Sequence, residues 1–300
     1  MKEQNKMSSR LGLIASMTIF GTIGLFVRWI PVTSSILAVI RGFIGAAFLC
    51  VWMLLTGKKA TKEEIKKNMW LLFFSGAAIG FNWVLLFESY KNTTVSVATL
   101  CYYMEPVIVI LLSPLFFKEK LGVKKSVCCL IAVLGMVLVS GILGGSVTEG
   151  ANPVKGMLLG LGAAVLYSSA VIANKFMHDI KAYTRTAIQL LTAAIVLIPY
   201  IIFTENDVAA SFDGIGVKAI ILIIVVGIVH TGIAYALYFG SMDKLPAQTI
   251  ALFSYIDPVV AILISAFVLK ENMGIAAIIG AFMILGATAV SEKEIVSNDV

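Results

Sequence analysis

Two acid-proline pairs lie inside long apolar runs of this 300-residue chain, Glu105-Pro106 and Asp257-Pro258. An ionised carboxylate surrounded by hydrocarbon is costly, so such an acid is expected to face a partner or a polar cavity. There it could bind a proton, a cation or the ammonium group of a ligand. The stretch from Phe87 to Gly122 recurs 152 residues later as Phe239 to Gly274, so each copy of a duplication carries one candidate binding acid.

The alternative for both acids is a structural role, protonated and hydrogen-bonded to neighbouring helices. We favour a ligand-binding or proton-binding role because two costly residues recur at equivalent positions. Tyr103 and Tyr255 recur two positions before the acids. They could bind a ligand by hydrogen bond or ring face, or they could pack against their neighbours.

Pro106 and Pro258 each lack a backbone donor and clash with the carbonyl four residues earlier. This predicts a bend in the middle of each apolar run, with freed carbonyl oxygens near Tyr102 and Ser254. We interpret the two prolines as candidate hinges.

Four further polar or aromatic residues lie within apolar runs. Arg41 could anchor a helix at the membrane surface, pair with an acid such as Glu88, or bind a ligand carboxylate. His230 and Asn82 are expected to face inward from equivalent helices, His230 either as a proton carrier or as a satisfied buried histidine. Trp83 lies deep enough in its run to line a cavity.

The composition predicts a membrane protein. With 59% hydrophobic and 13% charged residues, the chain has more apolar surface than one water-soluble core can bury. Apolar runs of roughly 20 residues match the hydrocarbon thickness of a bilayer. We predict an all-α integral membrane protein with ten transmembrane helices, the first retained rather than cleaved. The predicted spans are 11–30, 35–56, 70–88, 94–117, 122–141, 155–174, 183–204, 217–239, 247–269 and 273–291.

Loop charges predict the orientation of these spans. Lysine and arginine concentrate in the connectors that would face inward, which predicts a multi-pass protein of the cytoplasmic membrane with both termini in the cytoplasm. Five spans in each copy make the copies inverted repeats, with boundaries at 1–145 and 146–291 and a cytoplasmic tail at 292–300. The inner basic residues after the first span are Lys58, Lys59, Lys62, Lys66, Lys67, Lys118, Lys120, Lys124, Lys125, Lys175, Lys181, Arg185, Lys244 and Lys293.

Several function classes are disfavoured by the sequence. The net charge of +6 is spread over separate connectors, so we predict no nucleic-acid partner. The chain contains no phosphate-binding GxxxxGK[ST] loop, HExxH or GxSxG motif, which argues against nucleotide hydrolysis and against an intramembrane enzyme. We predict no catalytic residues, cofactor or metal site. The cysteines have no ligand-like spacing and are expected to be small buried hydrophobes: Cys50, Cys101, Cys128 and Cys129.

A resemblance to a known family lies in three blocks: RGFIGAAF from Arg41 to Phe48, LCYYMEPVIVILLSPLFFKEKLG, and LFSYIDPVVAILISAFVLKENMG. They resemble the drug/metabolite transporter superfamily, in particular the EamA family of ten-span permeases, over essentially the whole chain. The resemblance implies a central cavity among spans 1, 3, 4, 6, 8 and 9, with spans 5 and 10 peripheral. Spans 1 and 6 lack the embedded acid of small multidrug members, which disfavours proton-coupled efflux through such a residue.

These observations predict a secondary transporter that works by alternating access, with a small-molecule substrate, lipid and in one alternative protons as partners. We expect export of a small polar metabolite, amino-acid-like because the acids and Arg41 could bind opposite ends of one zwitterion. Efflux of hydrophobic or aromatic cations is the alternative, and an intramembrane enzyme or a channel is a more distant one. The protein could act as a monomer or a homodimer.

Overall fold

The computed structural model of the protein describes residues 2–27, 29–57, 61–92, 98, 101–118, 120–139, 152–177, 179–205, 207–242, 244–268 and 275–298, and their regular structure is entirely helical. The helices of the first half are α1 (Lys2–Val27), α2 (Ser34–Leu55), α3 (Lys62–Asn92), α4 (Glu105–Phe117) and α5 (Val123–Val139). Those of the second half are α6 (Pro153–Phe176), α7 (Ala182–Thr204), α8 (Val217–Met242), α9a (Ala247–Phe253), α9b (Ile256–Phe267) and α10 (Ile275–Asn298).

Helix length and composition make this an all-α membrane fold. Five helices are long and apolar enough to cross a bilayer, and α1, α4 and α10 contain shorter apolar stretches. Large apolar side chains cover the outer surface, where Trp70 is 84% and Phe203 87% exposed. Lipid can solvate such a surface, whereas water cannot do so without a large free-energy cost. The predicted all-α membrane class is confirmed. The five long spans are Ser35–Leu55, Lys62–Ser89, Val154–Phe176, Ala182–Thr204 and Val217–Met242.

The helices are interrupted by two turn residues at each acid-proline pair, where the bends are predicted. α4 begins at Glu105, with Pro106 in its first turn. Proline suits this position because its fixed φ matches the helix and the missing donor is not needed there. In the second half, Ser254 and Tyr255 separate α9a from α9b. The prediction of a free Ser254 carbonyl is wrong, because that oxygen accepts the Asp257 backbone N–H at 3.4 Å.

Contacts between helices fix their relative directions. α1 runs antiparallel to α8. The Ser241 hydroxyl, late in α8, donates to the Ser9 carbonyl, early in α1, at 2.9 Å, whereas Thr22, late in α1, contacts His230 in the middle of α8. α3 runs antiparallel to α6, since the Ser89 hydroxyl donates to the Gly156 carbonyl at 2.7 Å while Asn82 reaches Ala163. 

The remaining directions follow from α2 and α7. Thr33 at the start of α2 donates to Glu205 at the end of α7, whereas Trp52 near the end of α2 packs against Tyr183, so these helices are antiparallel. α3 and α7 are parallel, because Ser75 pairs with Gln189 and Glu88 with Tyr200. α2 and α8 are also parallel, with Gly45 against Gly227 and Phe48 against Gly232.

α5 and α10 pack mainly against each other, and the other helices form the body of the bundle. Gly135 of α5 faces Gly280 of α10 so closely that an added Cβ would lie 2.8 Å from the Gly280 carbonyl oxygen. This pair is therefore peripheral, the arrangement that the family resemblance implies for spans 5 and 10.

Gly76 and Gly80 let α3 and α7 approach closely. A Cβ added at Gly80 would lie 2.5 Å from the Val196 side chain and 2.9 Å from the Ala193 carbonyl oxygen. We expect Gly80→Leu to lower the melting temperature of the detergent-purified protein by several degrees, because overpacking costs ~1–3 kcal/mol and the backbone cannot yield. Gly286→Leu is the control, since nothing lies within 4 Å of its added Cβ. Equal melting temperatures would contradict the close helix crossing.

Candidate functional site

The helix break before α4 places Glu105 in the interior of the bundle. Its side chain is 5% exposed, and its Oε1 atom has no hydrogen-bond partner in the described part of the chain. Tyr167 of α6 and Tyr238 of α8 lie within electrostatic range of the carboxyl group. A buried carboxylate oxygen without a hydrogen-bond partner is costly, so Glu105 is available to bind a ligand donor.

Asp257 occupies the equivalent break in the second half but has a different environment. It is half-buried, and the Tyr103 side chain hydrogen-bonds to its carboxyl group. The backbone carbonyl of Asp257 packs against Gly21 of α1, where an added Cβ would lie 2.6 Å from that oxygen. The two acids that the duplication makes equivalent in sequence are therefore not equivalent in the fold.

Tyr103 and Tyr255 connect the two breaks. The Tyr255 hydroxyl lies 3.4 Å from the carbonyl oxygen of Tyr103, its own counterpart in the duplication, and donates to it. Tyr103 is half-buried and forms an edge-to-face pair with Tyr102. Tyr255 is fully buried in a cluster with side chains of α5, α9b and α10 that includes Cys128 and Ile284. Both tyrosines contact this cluster, and each is near a candidate binding acid, Tyr103 near Asp257 and Tyr255 near Glu105.

Arg41 of α2 lies over the ring of Trp83 of α3, with its guanidinium carbon 4.3 Å from the ring centroid. Its Nε is buried and has no hydrogen-bond partner among the described residues. Glu88, considered as a partner for Arg41, accepts a hydrogen bond from Tyr200 of α7. A guanidinium stacked on an aromatic face keeps its in-plane donors available for a planar anion such as a carboxylate.

A group of aromatic side chains, not predicted from the sequence, lies between Arg41 and Glu105. Tyr167 and Tyr238 are nearly parallel at 13°, with centroids 6.4 Å apart, and Tyr102 lies 6.1 Å from Tyr167. On the α1 side Phe20 packs edge-on against Tyr235, with centroids 5.0 Å apart. Tyr235 and Tyr238 are three residues apart on α8 and share one face, which is the sequence signal that could have found them.

Tyr167 relates the two charged groups to each other. Tyr167 lies within electrostatic range of both Arg41 and Glu105. Tyr102 lies within electrostatic range of Arg41. The described residues contain no ion pair between Arg41 and either acid. Arg41 and Glu105 thus both interact electrostatically with Tyr167 and form no ion pair with each other.

His230 and Asn82 are both buried but lie in different helix interfaces. His230 occupies a π-helical segment of α8, Val226–Ile233, and its Nε2 lies 2.9 Å from the Thr22 hydroxyl of α1. The Asn82 amide donates to the Ala163 carbonyl of α6 at 2.7 Å, and its Oδ1 has no partner among described residues. His230 is close enough to Arg41 for an electrostatic interaction, so it borders the site, whereas Asn82 joins α3 to α6.

Two other sequence expectations can be compared with the fold. Cys128 and Cys129 are buried and Cys101 is intermediate, but Cys50 is exposed on the apolar surface of α2. The prediction of a buried side chain is therefore wrong for Cys50, because a transmembrane surface accepts an apolar thiol as well as a core does. Within the described ranges no group of histidine, cysteine or acidic side chains has the geometry of a metal site. His178, which the sequence predicts to be solvated in a cytoplasmic loop, lies outside the described residues.

This chain belongs to the EamA-like transporter family, which matches it twice, over residues 7–141 and 154–291. The protein is therefore a membrane transporter, and its family is one of transporters rather than enzymes. The family predicted from the blocks around Arg41, Glu105 and Asp257 is confirmed.

Individual relatives support the same assignment. The chain is 31% identical over 289 residues to the uncharacterized transporter YxxF of Bacillus subtilis, covering 96% of this chain and 90% of the relative. It is 25% identical to the protein PecM of Dickeya dadantii, covering 73% and 72% of the two chains. A solved crystal structure shares the fold with a TM-score of 0.82 at 21% identity, covering 94% of this chain and 97% of the other.

Proposed function

We propose that the protein is a secondary carrier built from two inverted five-helix repeats that work by alternating access. The directions of the helices support this proposal, because α1, α2 and α3 run opposite to α6, α7 and α8 respectively. Two separate matches to the family, over 7–141 and 154–291, also support a chain built from two related halves. Exchanging the conformations of two such halves converts an inward-open state into an outward-open one of similar energy.

The proposed orientation puts both termini in the cytoplasm. One end of the bundle carries the start of α3, with Lys67 paired to Asp179, together with the start of α7. The other end carries Glu205 and the acidic connector that follows α7. Basic residues at one end and acidic residues at the other are what the positive-inside rule associates with the cytoplasmic and outer faces.

We propose an amino-acid-like zwitterion as the cargo, moved outward across the cytoplasmic membrane. The observation that carries this proposal is the pair of charged groups, Arg41 and Glu105, which flank Tyr167 without neutralising each other. A zwitterion would satisfy both at once, its carboxylate on the guanidinium and its ammonium on the glutamate. Tyr103 and Asp257 offer a second hydrogen-bonding group beside this site.

Counterflow in proteoliposomes tests the carrier and its cargo together. Vesicles preloaded with an unlabelled amino acid are expected to accumulate the labelled one transiently above the level of unloaded vesicles, which a channel or an enzyme cannot produce. A thermal-shift screen of amino acids, sugars, nucleosides and cations selects the amino acid to load. Absence of counterflow for every compound that stabilises the protein would refute the carrier proposal.

An aromatic cation is the second candidate cargo, because Glu105 lies among tyrosine rings whose faces attract cations. Arg41 opposes it, since a cation bound near Tyr167 would be repelled by the guanidinium. Competition by a positively charged dye in the counterflow assay separates the candidates. Inhibition by the dye but by no zwitterion would favour drug-type efflux.

A further inference from the structure

Arg185 is among the largest fully buried side chains of the described residues, and the proposed binding site does not use it. From the sequence, Arg185 is predicted to be one of the inward-facing connector charges, because it lies only a few residues after a basic loop. The structure instead places it in the first turn of α7, pointing into the bundle. Burying an arginine is costly unless groups such as carbonyl oxygens accept hydrogen bonds from its guanidinium.

The Nη1 and Nη2 donors of Arg185 bond to the ends of two other helices, whereas its Nε makes no hydrogen bond with the described residues. Nη1 donates to the carbonyl oxygens of Asn174 and Met177, both at 3.1 Å, at the carboxyl end of α6. Nη2 donates to the Phe239 carbonyl at 2.7 Å, near the carboxyl end of α8. The ends of two helix dipoles, each partially negative, therefore converge on one guanidinium.

A second cation repeats this arrangement nearby. Lys175, in the last turn of α6, donates from Nζ to the carbonyl oxygens of Met242 at 2.7 Å and Leu245 at 2.5 Å. Arg185 and Lys175 together tie α6 and α7 to the end of α8 and to the turn before α9a. We call this set of residues the basic clasp. It consists of Arg185 and Lys175 with the residues whose carbonyl oxygens accept from them: Asn174, Met177, Phe239, Met242 and Leu245.

The opposite end of the bundle is closed by different chemistry. The position of Arg185 in the first repeat, at the 148-residue spacing that relates Gln189 to Arg41, is Leu37 of α2. Leu37 is buried in an apolar cluster with Ile30, Ile223 and Val226. Equivalent positions in the two halves thus hold a multiply hydrogen-bonded arginine at one end and a leucine at the other.

We propose that the basic clasp is the lock that keeps the cytoplasmic end of the carrier closed, and that it opens when the inward-facing state forms. This inference rests on the alternating access proposed above. Opening that end separates the carboxyl end of α6 from that of α8, which breaks the hydrogen bonds of Arg185 and Lys175 together. At the outer end, opening exposes the apolar Leu37 cluster, and the charged acceptor there is Glu205, which bonds to Thr33 and Ser35.

Cysteine accessibility tests the lock without any cargo. In a background lacking the four native cysteines, Ile180→Cys reports on the cytoplasmic end and Ile30→Cys on the outer end; both native side chains are buried. Arg185→Leu is expected to raise labelling of the first reporter about tenfold and to lower labelling of the second, because the two states exchange. Leu37→Ala is the matched control and is expected to change both reporters in the opposite directions.

Local fraying of the helix ends around Arg185 is the competing explanation. Labelling of Ile30→Cys at the outer end distinguishes it from the lock. Higher labelling at residue 180 without a fall at residue 30 would mean that Arg185 merely caps helices, and the lock would be refuted. If Arg185→Leu does not insert into the membrane, Arg185→Lys is used, which keeps the charge with fewer donors and should shift both reporters less in the same directions. A failed counterflow experiment would leave these reciprocal shifts intact, so the two proposals fail separately.

Discussion

Replacing Glu105 with glutamine is expected to reduce cargo exchange at least tenfold. The substitution keeps the size of the side chain and removes the charge that would bind an ammonium group. A charge-assisted hydrogen bond contributes ~1.5–3 kcal/mol, which corresponds to roughly 10- to 100-fold in affinity. Initial rates of counterflow at several cargo concentrations measure the change. Full activity of Glu105→Gln would remove Glu105 from the binding site.

Melting temperature separates this binding role from a structural one. Glu105 Oε1 makes no hydrogen bond among the described residues, so Glu105→Gln is expected to leave the melting temperature unchanged or to raise it. If the acid were a protonated link between helices, the same variant would melt lower. Glu205→Gln is the matched control, because Glu205 accepts bonds from Thr33 and Ser35 at the end of the bundle. That variant should exchange cargo at a rate close to the wild type.

Replacing Arg41 with lysine is expected to raise KM for a carboxylate-bearing cargo about tenfold, although the charge is retained. Lysine loses both the planar stacking on Trp83 and the two-pronged geometry that matches a carboxylate. Arg41→Met is expected to lose more, because it removes the charge as well. The measurement is counterflow of an amino acid compared with the amine that lacks only its carboxylate.

The comparison of the two ligands gives the Arg41 prediction its specificity. If Arg41 binds the carboxylate, its replacement penalises the amino acid and leaves the poor transport of the amine unchanged. Lys218→Met is the control, since Lys218 lies over Trp29 at 5.1 Å at the end of the bundle, away from the site. An equal loss for both ligands would mean that Arg41 only supports the packing of α2 on α3.

Much of the fold could be predicted from the sequence because lipid imposes one simple requirement. Every spanning backbone group must be bonded within a helix, so an apolar run of sufficient length predicts a helix directly. The bounds of α2, α6 and α7 accordingly lie within two residues of the predicted spans. Other helices depart further. α1 begins at Lys2 instead of residue 11 and α3 at Lys62 instead of residue 70, because a helix can continue past the hydrocarbon into a charged segment.

The candidate site could be predicted only in part. Three site residues are recognisable from the sequence: Glu105, Asp257 and Arg41. Placing a charged side chain in an apolar run costs free energy whichever residues pack around it. The tyrosines at 167, 235 and 238 are unremarkable in sequence, since an aromatic residue in an apolar run is compatible with lipid, core or cavity. Uniformly apolar helices have weak amphipathic periodicity, so the rotation of each helix cannot be read from the order of its residues.

The sequence by itself determined the membrane class, the duplication, the family and the candidate charged residues Glu105, Asp257 and Arg41, because composition and local cost are properties of the chain. Only the tertiary structure decided that the Asp257 carboxyl group is hydrogen-bonded to Tyr103, whereas Glu105 Oε1 has no hydrogen-bond partner among the described residues. It also decided that Arg185 is buried between helix ends rather than exposed in a loop. A buried polar group finds a hydrogen-bond partner only if packing brings a carbonyl or hydroxyl that is distant in sequence to within about 3 Å. The order of residues alone does not specify which groups come this close.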